Sequence, residues 1–400
     1  MVEDLAGLLE PCLSENFLSA TWGKSFRHVR GWPGKFARLL PWDDLNEILT
    51  SHRLDYPRLR LMQDGKSLPT ASYIRYVSSS ARKASIPRLL PVELTNQLRS
   101  GATLVLDSVD ELQQPIRKLA EGLERRFHEH VQVNCYAGWL VSRGFDLHWD
   151  DHDVFIVQVT GRKRWDIYGM TTPYPLRGDN EPIPKPTHES VWSDVLEDGD
   201  LLYIPRGWWH VAAPLDEPTL HLTVGIHNRT GINMLQWFNN KLRASKVFRQ
   251  DLPRFGSPTE RREHLENLRL ELLSKWNEDL LNDYLCELDM MAEPRAGFGL
   301  PWSATSDVFP PSGDTLVRLN TSRPLDLQSN AEMVEFVCNK KRWKFAIAAL
   351  ILLRPLFEQR TCSVSELCDI AKGELDETVV RVFLRELLVH GLVVIVTRRR

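Results

Sequence analysis

Apolar and polar residues run in two different rhythms along this chain, and the changes between them divide it. From Val131 the period is two: Val131, Val133 and Cys135 share one side while Gln132, Asn134 and Tyr136 share the other, which predicts a strand with one polar face. Short strand patterns follow at Asp153 to Val159, Lys163 to Tyr168, Leu201 to Ile204 and Leu220 to His227. They are punctuated by the turn Thr160-Gly161-Arg162 and by a Pro-rich excursion from Pro173 to Pro186. Such a series predicts a closed or sandwiched sheet, in its simplest form a jelly roll. Ahead of it the rhythm is mixed: Asp43 to Leu49 reads as a short helix opened by a capping Asp, and Leu112 to Phe127 carries apolar residues at helical spacing among charges.

After Gly231 the period turns helical, with Leu235, Phe238 and Leu242, then Leu265, Leu268, Leu272 and Trp276, separated by Pro253 and Pro258. The spare apolar face of these helices either packs on the chain's own β region or joins two copies in a two-fold dimer. The remainder predicts a helix over Trp343 to Phe357, a short one after Ser363, a third after Asp376, and a strand from Leu392 to Thr397, a winged-helix-like order. The third helix sets Arg381 and Arg385 against Asp376, Glu377 and Glu386, which argues against a DNA reader despite the tail Arg398, Arg399 and Arg400.

Composition narrows the classes. At 400 residues, 42% hydrophobic and 26% charged, the chain is an ordinary soluble protein of two or three domains. A net charge of −3 denies it the overall basic field of a non-specific nucleic-acid binder. Six cysteines without a CxxC pair read as reduced thiols, and the acidic opening Met1-Val2-Glu3-Asp4 is unlike a signal peptide, so the expected location is cytoplasmic. The apolar run Phe345 to Leu353 is far short of the roughly 20 residues of a membrane span. Thirteen Trp and 24 Pro fit a many-stranded domain with a walled pocket.

The chemistry concentrates in two segments. In Gly144-Phe-Asp-Leu-His148-Trp149-Asp150-Asp151-His152-Asp153, His148 and Asp150 are two apart, so a strand would turn both toward one ion. In Gly199-Asp200-Leu-Leu-Tyr-Ile-Pro205-Arg-Gly207-Trp-Trp-His210, a strand ends in a Pro-Gly turn and delivers His210, 62 residues after His148. Two imidazoles and one carboxylate form the facial triad of non-haem Fe(II) oxygenases, with three positions left open. His152 shares their parity, but a chain turning at Asp151 to Asp153 aims it elsewhere, and His128 and His130 end a charged helix in solvent. Such an oxygenase needs a reductant, and 2-oxoglutarate chelates iron while its distal carboxylate meets a cation. The expected cation is Lys163, which shares a face with Trp165 and Ile167 while Arg162 and Arg164 take the opposite one. Asn134, on the polar face of its strand, is expected to add a hydrogen bond to the same carboxylate. Tyr136, Trp149, Trp165, Trp208 and Trp209 are candidate pocket walls, and one or more of His221, Thr223 and His227 is expected to line the cavity.

Together the two segments resemble the JmjC-type ribosomal oxygenases of the cupin superfamily. The early Asn16-Phe-Leu-Ser-Ala-Thr-Trp22-Gly-Lys24 and the order jelly roll, helical segment, winged helix are similar as well. The resemblance implies an α+β fold: a cupin/JmjC double-stranded β-helix (jelly roll) with its scaffold over 1–230, a helical dimerisation segment over 231–300 and a winged-helix-like domain over 301–400. It implies Fe(II) on His148, Asp150 and His210, and 2-oxoglutarate on Lys163 with Asn134. It implies hydroxylation by O2 of an Arg or His side chain in a protein, expected to be ribosomal, by a homodimer; the short apolar run and the charges above add the expectation of no membrane or nucleic-acid role. One departure is Pro214, where the wider cupin pattern often has Asn, which puts local strand geometry in question. Competing readings are a hydroxylase of a natural-product precursor peptide or free amino acid, a lysine demethylase, a cupin isomerase, or a non-catalytic cupin binding protein.

Overall fold

The computed structural model describes residues 5–79, 84–176, 179, 183–305, 309–323, 325–358 and 361–396. Met1 to Asp4, part of the Pro-rich excursion, Thr397 and the three-arginine tail thus lie outside the described residues. The chain divides between Asn228 and Arg229 into two compact units.

The first unit contains helices α1 Glu15–Ala20, α2 Trp42–Ser51, α3 Pro91–Arg99 and α4 Gln114–Phe127. Its strands are β1 Arg27–Val29, β2 Leu59–Gln63, β3 Lys66–Ser67, β4 Ile74–Ser79, β5 Ala84–Leu89, β6 Thr103–Leu106, β7 Val131–Gly138, β8 Asp153–Thr160, β9 Lys163–Gly169, β10 Trp192–Leu196, β11 Leu201–Ile204, β12 Trp209–Pro214 and β13 Thr219–Ile226. Two antiparallel sheets build the jelly roll, one in the order β1-β11-β8-β13-β7-β6-β2-β3 and one in the order β10-β9-β12. The four strands foreseen after β7 fall within a residue or so of their expected limits. Unforeseen are β1, β2, β3 and β6, which extend the large sheet from the mixed region, the separate pair β4-β5, and β10 and β12, which flank β9.

Strand β8 is buried on both faces, and that fixes the layers. Phe155, Val157 and Val159 join a core with Leu220, Leu222 and Val224 of β13, Val133 and Cys135 of β7, and Ile116, Leu119 and Leu123 of α4. Val154 and Ile156 point the other way, meeting Trp165 and Ile167 of β9 and Leu196 of β10. Each such fully buried side chain contributes about 1.5–3 kcal/mol relative to exposure. Two acidic side chains seat β7: Glu124 of α4 accepts from the Val131 amide at 3.3 Å, and Asp110 accepts from the Val133 amide at 2.8 Å. The polar face of β7 is thereby held away from the α4 core, on the side where the second sheet lies. One detail differs from expectation. Helix α2 starts at Trp42 with Pro41 as its N-cap, and Asp43 and Asp44 sit in the first turn, where the helix's positive end favours them without a capping bond.

The second unit holds α5 Gly231–Leu242, α6 Pro258–Lys275 and α7 Leu280–Met291, then β14 Leu316–Leu319, β15 Gln328–Ser329, β16 Met333–Cys338, β17 Lys341–Ala346, α8 Leu350–Phe357, β18 Cys362–Ser363, α9 Val364–Ala371, α10 Glu377–Val389 and β19 Val393–Val396. Two three-stranded sheets, β18-β14-β19 and β15-β16-β17, accompany the last three helices. The expected helix from Trp343 is corrected: Trp343 lies in β17, and α8 begins only at Leu350. The reason is a period-two stretch just ahead of the apolar run, in which exposed Arg342 and Lys344 alternate with Trp343 and Phe345. On α10, Arg381 bonds to Glu377 and Arg385 to Glu386. All six cysteines are free, and no helix among the described residues is long and apolar enough to cross a membrane.

Candidate metal centre

Residues 148–150 are irregular backbone rather than the strand expected from their parity, and 151–152 bend, as expected. One antiparallel bridge, His148 to His210, is what aligns them. The His210 amide donates to the His148 carbonyl at 2.8 Å and the return bond is 3.2 Å, while the Gly207 amide donates to the Asp150 carbonyl at 2.9 Å. His210 is the second residue of β12, at an irregularity in its pairing with β9. Among the described residues this is the one group of three potential ligands, its donor atoms all within 4.8 Å of one another. Asp150 Oδ2 is 3.6 Å from Nε2 of His210 and Oδ1 is 4.0 Å from Nε2 of His148.

The imidazoles are already set for an ion. Nδ1 of His148 lies 2.8 Å from the Asp146 carbonyl and Nδ1 of His210 lies 2.9 Å from the Trp208 carbonyl. A carbonyl only accepts, so each Nδ1 carries the proton and each Nε2 keeps its lone pair for metal. Burial, aided by neighbouring His148 and opposed by Asp150, pushes the His210 imidazole down to about 4, so it is neutral at physiological pH. Two nitrogens and one carboxylate on one side suit Fe(II). His152 stands apart, as expected. Its ring packs where a Cβ on Gly225 would come within 2.7 Å, its Nδ1 meets Asp151 at 3.0 Å, and it stacks on His227 with ring centroids 4.5 Å apart. His128 caps α4 in the left-handed region, and His130 is largely exposed.

Beside the triad lies a cavity of about 160 Å³, walled in part by Tyr136, Ile156, Lys163, Trp165, His221 and Thr223. Lys163 is buried while Arg164 next to it is exposed, so the alternation read from the sequence places the cation inside. Its Nζ sits 5.8 Å from the Trp165 ring centroid, and burial without an opposing carboxylate pushes the ammonium down to about 7. Two more polar atoms of this wall, Nδ1 of His221 and Nε1 of Trp165, are buried without a hydrogen-bond partner. His221 stacks on Tyr136 with ring centroids 5.0 Å apart, and burial followed by the Lys163 charge lowers its basicity far below the usual imidazole range. A buried lysine and an orphaned imidazole in one small cavity fit a carboxylate.

Asn134 takes a different position from Lys163. It is on the expected face, opposite Thr223, but its Oδ1 accepts from the Ser108 amide at 2.9 Å, and its side chain bonds to the Tyr136 hydroxyl. It does not line the cavity. Of the five candidate aromatic walls, Tyr136 and Trp165 line it. Trp208 packs with the inter-sheet core, and the Trp209 indole donates to Thr171 at 2.8 Å. Of the three residues expected to alternate along this strand, His221 and Thr223 of β13 line the cavity, whereas His227 lies past the strand end. Pro214 closes β12 and pairs with Lys163, so the departure from the cupin pattern leaves the strand intact to that residue.

Comparison with known proteins agrees with this geometry. Residues 110–234 match the JmjC domain. Bifunctional lysine-specific demethylase and histidyl-hydroxylase NO66 of Drosophila pseudoobscura pseudoobscura is 29% identical over 56% of this chain and 23% of its own length. Ribosomal oxygenase 1 of Gallus gallus is 29% identical over 56% of this chain and 36% of its own length. The chain thus spans well under half the length of these curated relatives. Over nearly its whole length it shares the fold of the Escherichia coli protein YcfD, with a TM-score of 0.54, 18% identity, and coverage of 95% of this chain and 97% of that one. YcfD has also been solved, as a ribosomal oxygenase, in complex with cobalt and 2-oxoglutarate; that structure superposes with a TM-score of 0.53 at 16% identity, covering 96% of this chain and 98% of that one.

Proposed function

We propose that this chain, which carries a JmjC domain on a cupin-type jelly roll, is an Fe(II)- and 2-oxoglutarate-dependent oxygenase that hydroxylates an amino-acid side chain of a protein. A ribosomal protein is the substrate and an Arg or His its target. The observation that carries this reading is the coincidence of the triad and the buried, acid-free Lys163 around one cavity. When bound, iron with 2-oxoglutarate supplies the oxidising chemistry, using O2 to hydroxylate a C–H bond while 2-oxoglutarate becomes succinate and CO2.

The chain's own residues do the positioning. His148, Asp150 and His210 hold the ion from one side and leave the other open. Lys163 receives the distal carboxylate of 2-oxoglutarate, and the free Nδ1 of His221 shares it. Asn134 acts one step removed, holding the Tyr136 hydroxyl at the cavity wall. Ile156 and Trp165 keep that end of the cavity apolar and limit water around the ion. The helical segment over 231–300 pairs two copies, in keeping with the exposed Leu265, Leu270 and Leu273 of α6, and the winged-helix-like region over 301–400 contacts protein rather than nucleic acid, since the α10 arginines are engaged by glutamates.

The test is an anaerobic titration of the metal-free protein with Fe(II) and then 2-oxoglutarate, following the visible charge-transfer band of the chelate. Wild type develops the band and Lys163→Ala weakens it. Incubation with ribosomal proteins in ¹⁸O₂ then transfers one labelled oxygen atom to an Arg or His. Bound iron with no band overturns the 2-oxoglutarate reading, and label found only in a small product overturns the protein substrate.

A further inference from the structure

The loop segments that carry the triad are clasped to each other, and the clasp has one buried carboxylate at its end. Asp153, 2% exposed, opens β8 three residues after Asp150. Its Oδ1 accepts from the Arg206 amide at 2.8 Å, and its Oδ2 accepts from the Tyr203 hydroxyl at 2.8 Å; the Asn228 side chain is a further donor. Arg206 belongs to the turn between β11 and β12. That turn is also held by the Gly207 amide on the Asp150 carbonyl and by the His148–His210 bridge. Every other link in the clasp is backbone to backbone. Asp153 supplies the side-chain link, and it sits at the end where the turn would otherwise be free to lift His210 from the other two ligands.

The Tyr203 hydroxyl accepts in turn from the Gly23 amide at 2.7 Å, and its ring stacks on Trp22 with centroids 5.3 Å apart. The early Trp22-Gly23 pair is thus one hydroxyl away from Asp153. A carboxylate taken out of water is costly unless its oxygens are bonded, and here its donors come from the 203–206 stretch and from Asn228 after β13, so it holds the two in one position relative to β8.

We propose that Asp153 is the positioning residue of the metal centre: through the Arg206 amide it sets the height of the turn that delivers His210. It does not touch the ion or the substrate. The inference rests on the triad being a metal site, so it is tested on metal uptake by the full chain rather than on turnover. The probe is Co(II), titrated into metal-free protein and read by its visible ligand-field bands, with thermal melting recorded alongside. Loss of a group that orients ligands typically weakens metal binding about 10–100-fold. Asp153→Ala is expected to weaken Co(II) at least about tenfold and to change the band shape, because the turn loses its anchor. Asp153→Asn keeps an acceptor for the Arg206 amide and is expected to restore affinity to within about threefold of wild type. Tyr203→Phe removes the Gly23 link but leaves Arg206 anchored; it is expected to lower the melting temperature with little change in Co(II) affinity.

Wild-type affinity and band shape in Asp153→Ala, with only a lower melting temperature, overturn the inference and leave Asp153 a stability residue. Should Asp153→Ala not fold, the other two variants decide: a Tyr203→Phe protein that loses Co(II) more strongly than Asp153→Asn overturns it, and the reverse order supports it. Wild-type protein that takes up no Co(II) overturns the metal reading itself, and this inference with it.

Discussion

At the scale of single residues the centre divides its labour between groups prepared for metal and groups prepared for an anion. Lys163 makes the second role measurable. Its ammonium is pushed down to about 7, so below that pH the unliganded protein already carries the charge that a carboxylate needs. Above it, binding must also take up a proton. The affinity for 2-oxoglutarate is therefore expected to be flat below about pH 7 and to fall by up to tenfold per pH unit above it, with Lys163→Met weak and nearly flat throughout. An isothermal titration series from acid to alkaline pH checks the slope; a wild-type affinity that rises with pH contradicts the assignment. His221→Leu removes the orphaned Nδ1 while keeping most of the bulk against Tyr136. It is expected to cost about 1–2 kcal/mol, roughly a tenfold loss in 2-oxoglutarate affinity, with Co(II) uptake unchanged.

At the scale of elements, the position of Lys163 depends on the hairpin between β8 and β9. Gly161 sits there at φ +68°, and a Cβ on it would meet the Pro218 carbonyl oxygen at 2.1 Å. No side chain fits, and the left-handed backbone strains any L-residue besides. Gly161→Ala is expected to lower stability by at least about 1–3 kcal/mol in urea denaturation and to weaken 2-oxoglutarate, because β9 must shift where it begins with Lys163. Unchanged affinity in a variant of reduced stability would separate the turn from the site. The neighbouring element β12 shows the complementary case. Its irregular pairing at Trp209 and His210 turns His210 toward the single bridge with His148, whereas the next indole, Trp209, is drawn off to Thr171.

At the scale of the whole molecule, α6 contributes no buried residue of its own, and its Leu265, Leu270 and Leu273 are 51–67% exposed. Large apolar side chains left exposed in this number on one helix call for a partner. If two copies supply it to each other, light scattering gives about twice the 46.2 kDa chain mass, and the double change Leu265→Asp with Leu273→Asp returns it to one chain mass. A wild-type monomer at micromolar concentration removes the dimer.

Local chemistry made much of this protein legible in one dimension. Strict alternation exposed the polar face of β7 and the inward side of β9, so Lys163 was placed by parity alone. The residue types His148, Asp150 and His210, with the Pro205–Gly207 turn before the last, named the metal chemistry without coordinates. Other features belong to the tertiary structure, because they depend on what faces what across long separations. Parity alone could not tell that the stretch from His148 to Asp150 would be held by a bridge to His210 rather than by strand pleating, since that pairing lies between segments 62 residues apart. Nor could it tell that Ser108 would draw off the Asn134 oxygen, leaving the cavity wall to His221, because two polar faces of equal pattern differ only in which loop packs beside them. In sequence Asp153 is one of three acids in the run Asp150-Asp151-His152-Asp153. Only the folded chain, by enclosing it with a tyrosine and a turn amide, makes a carboxylate that must be bonded into one that holds the site together.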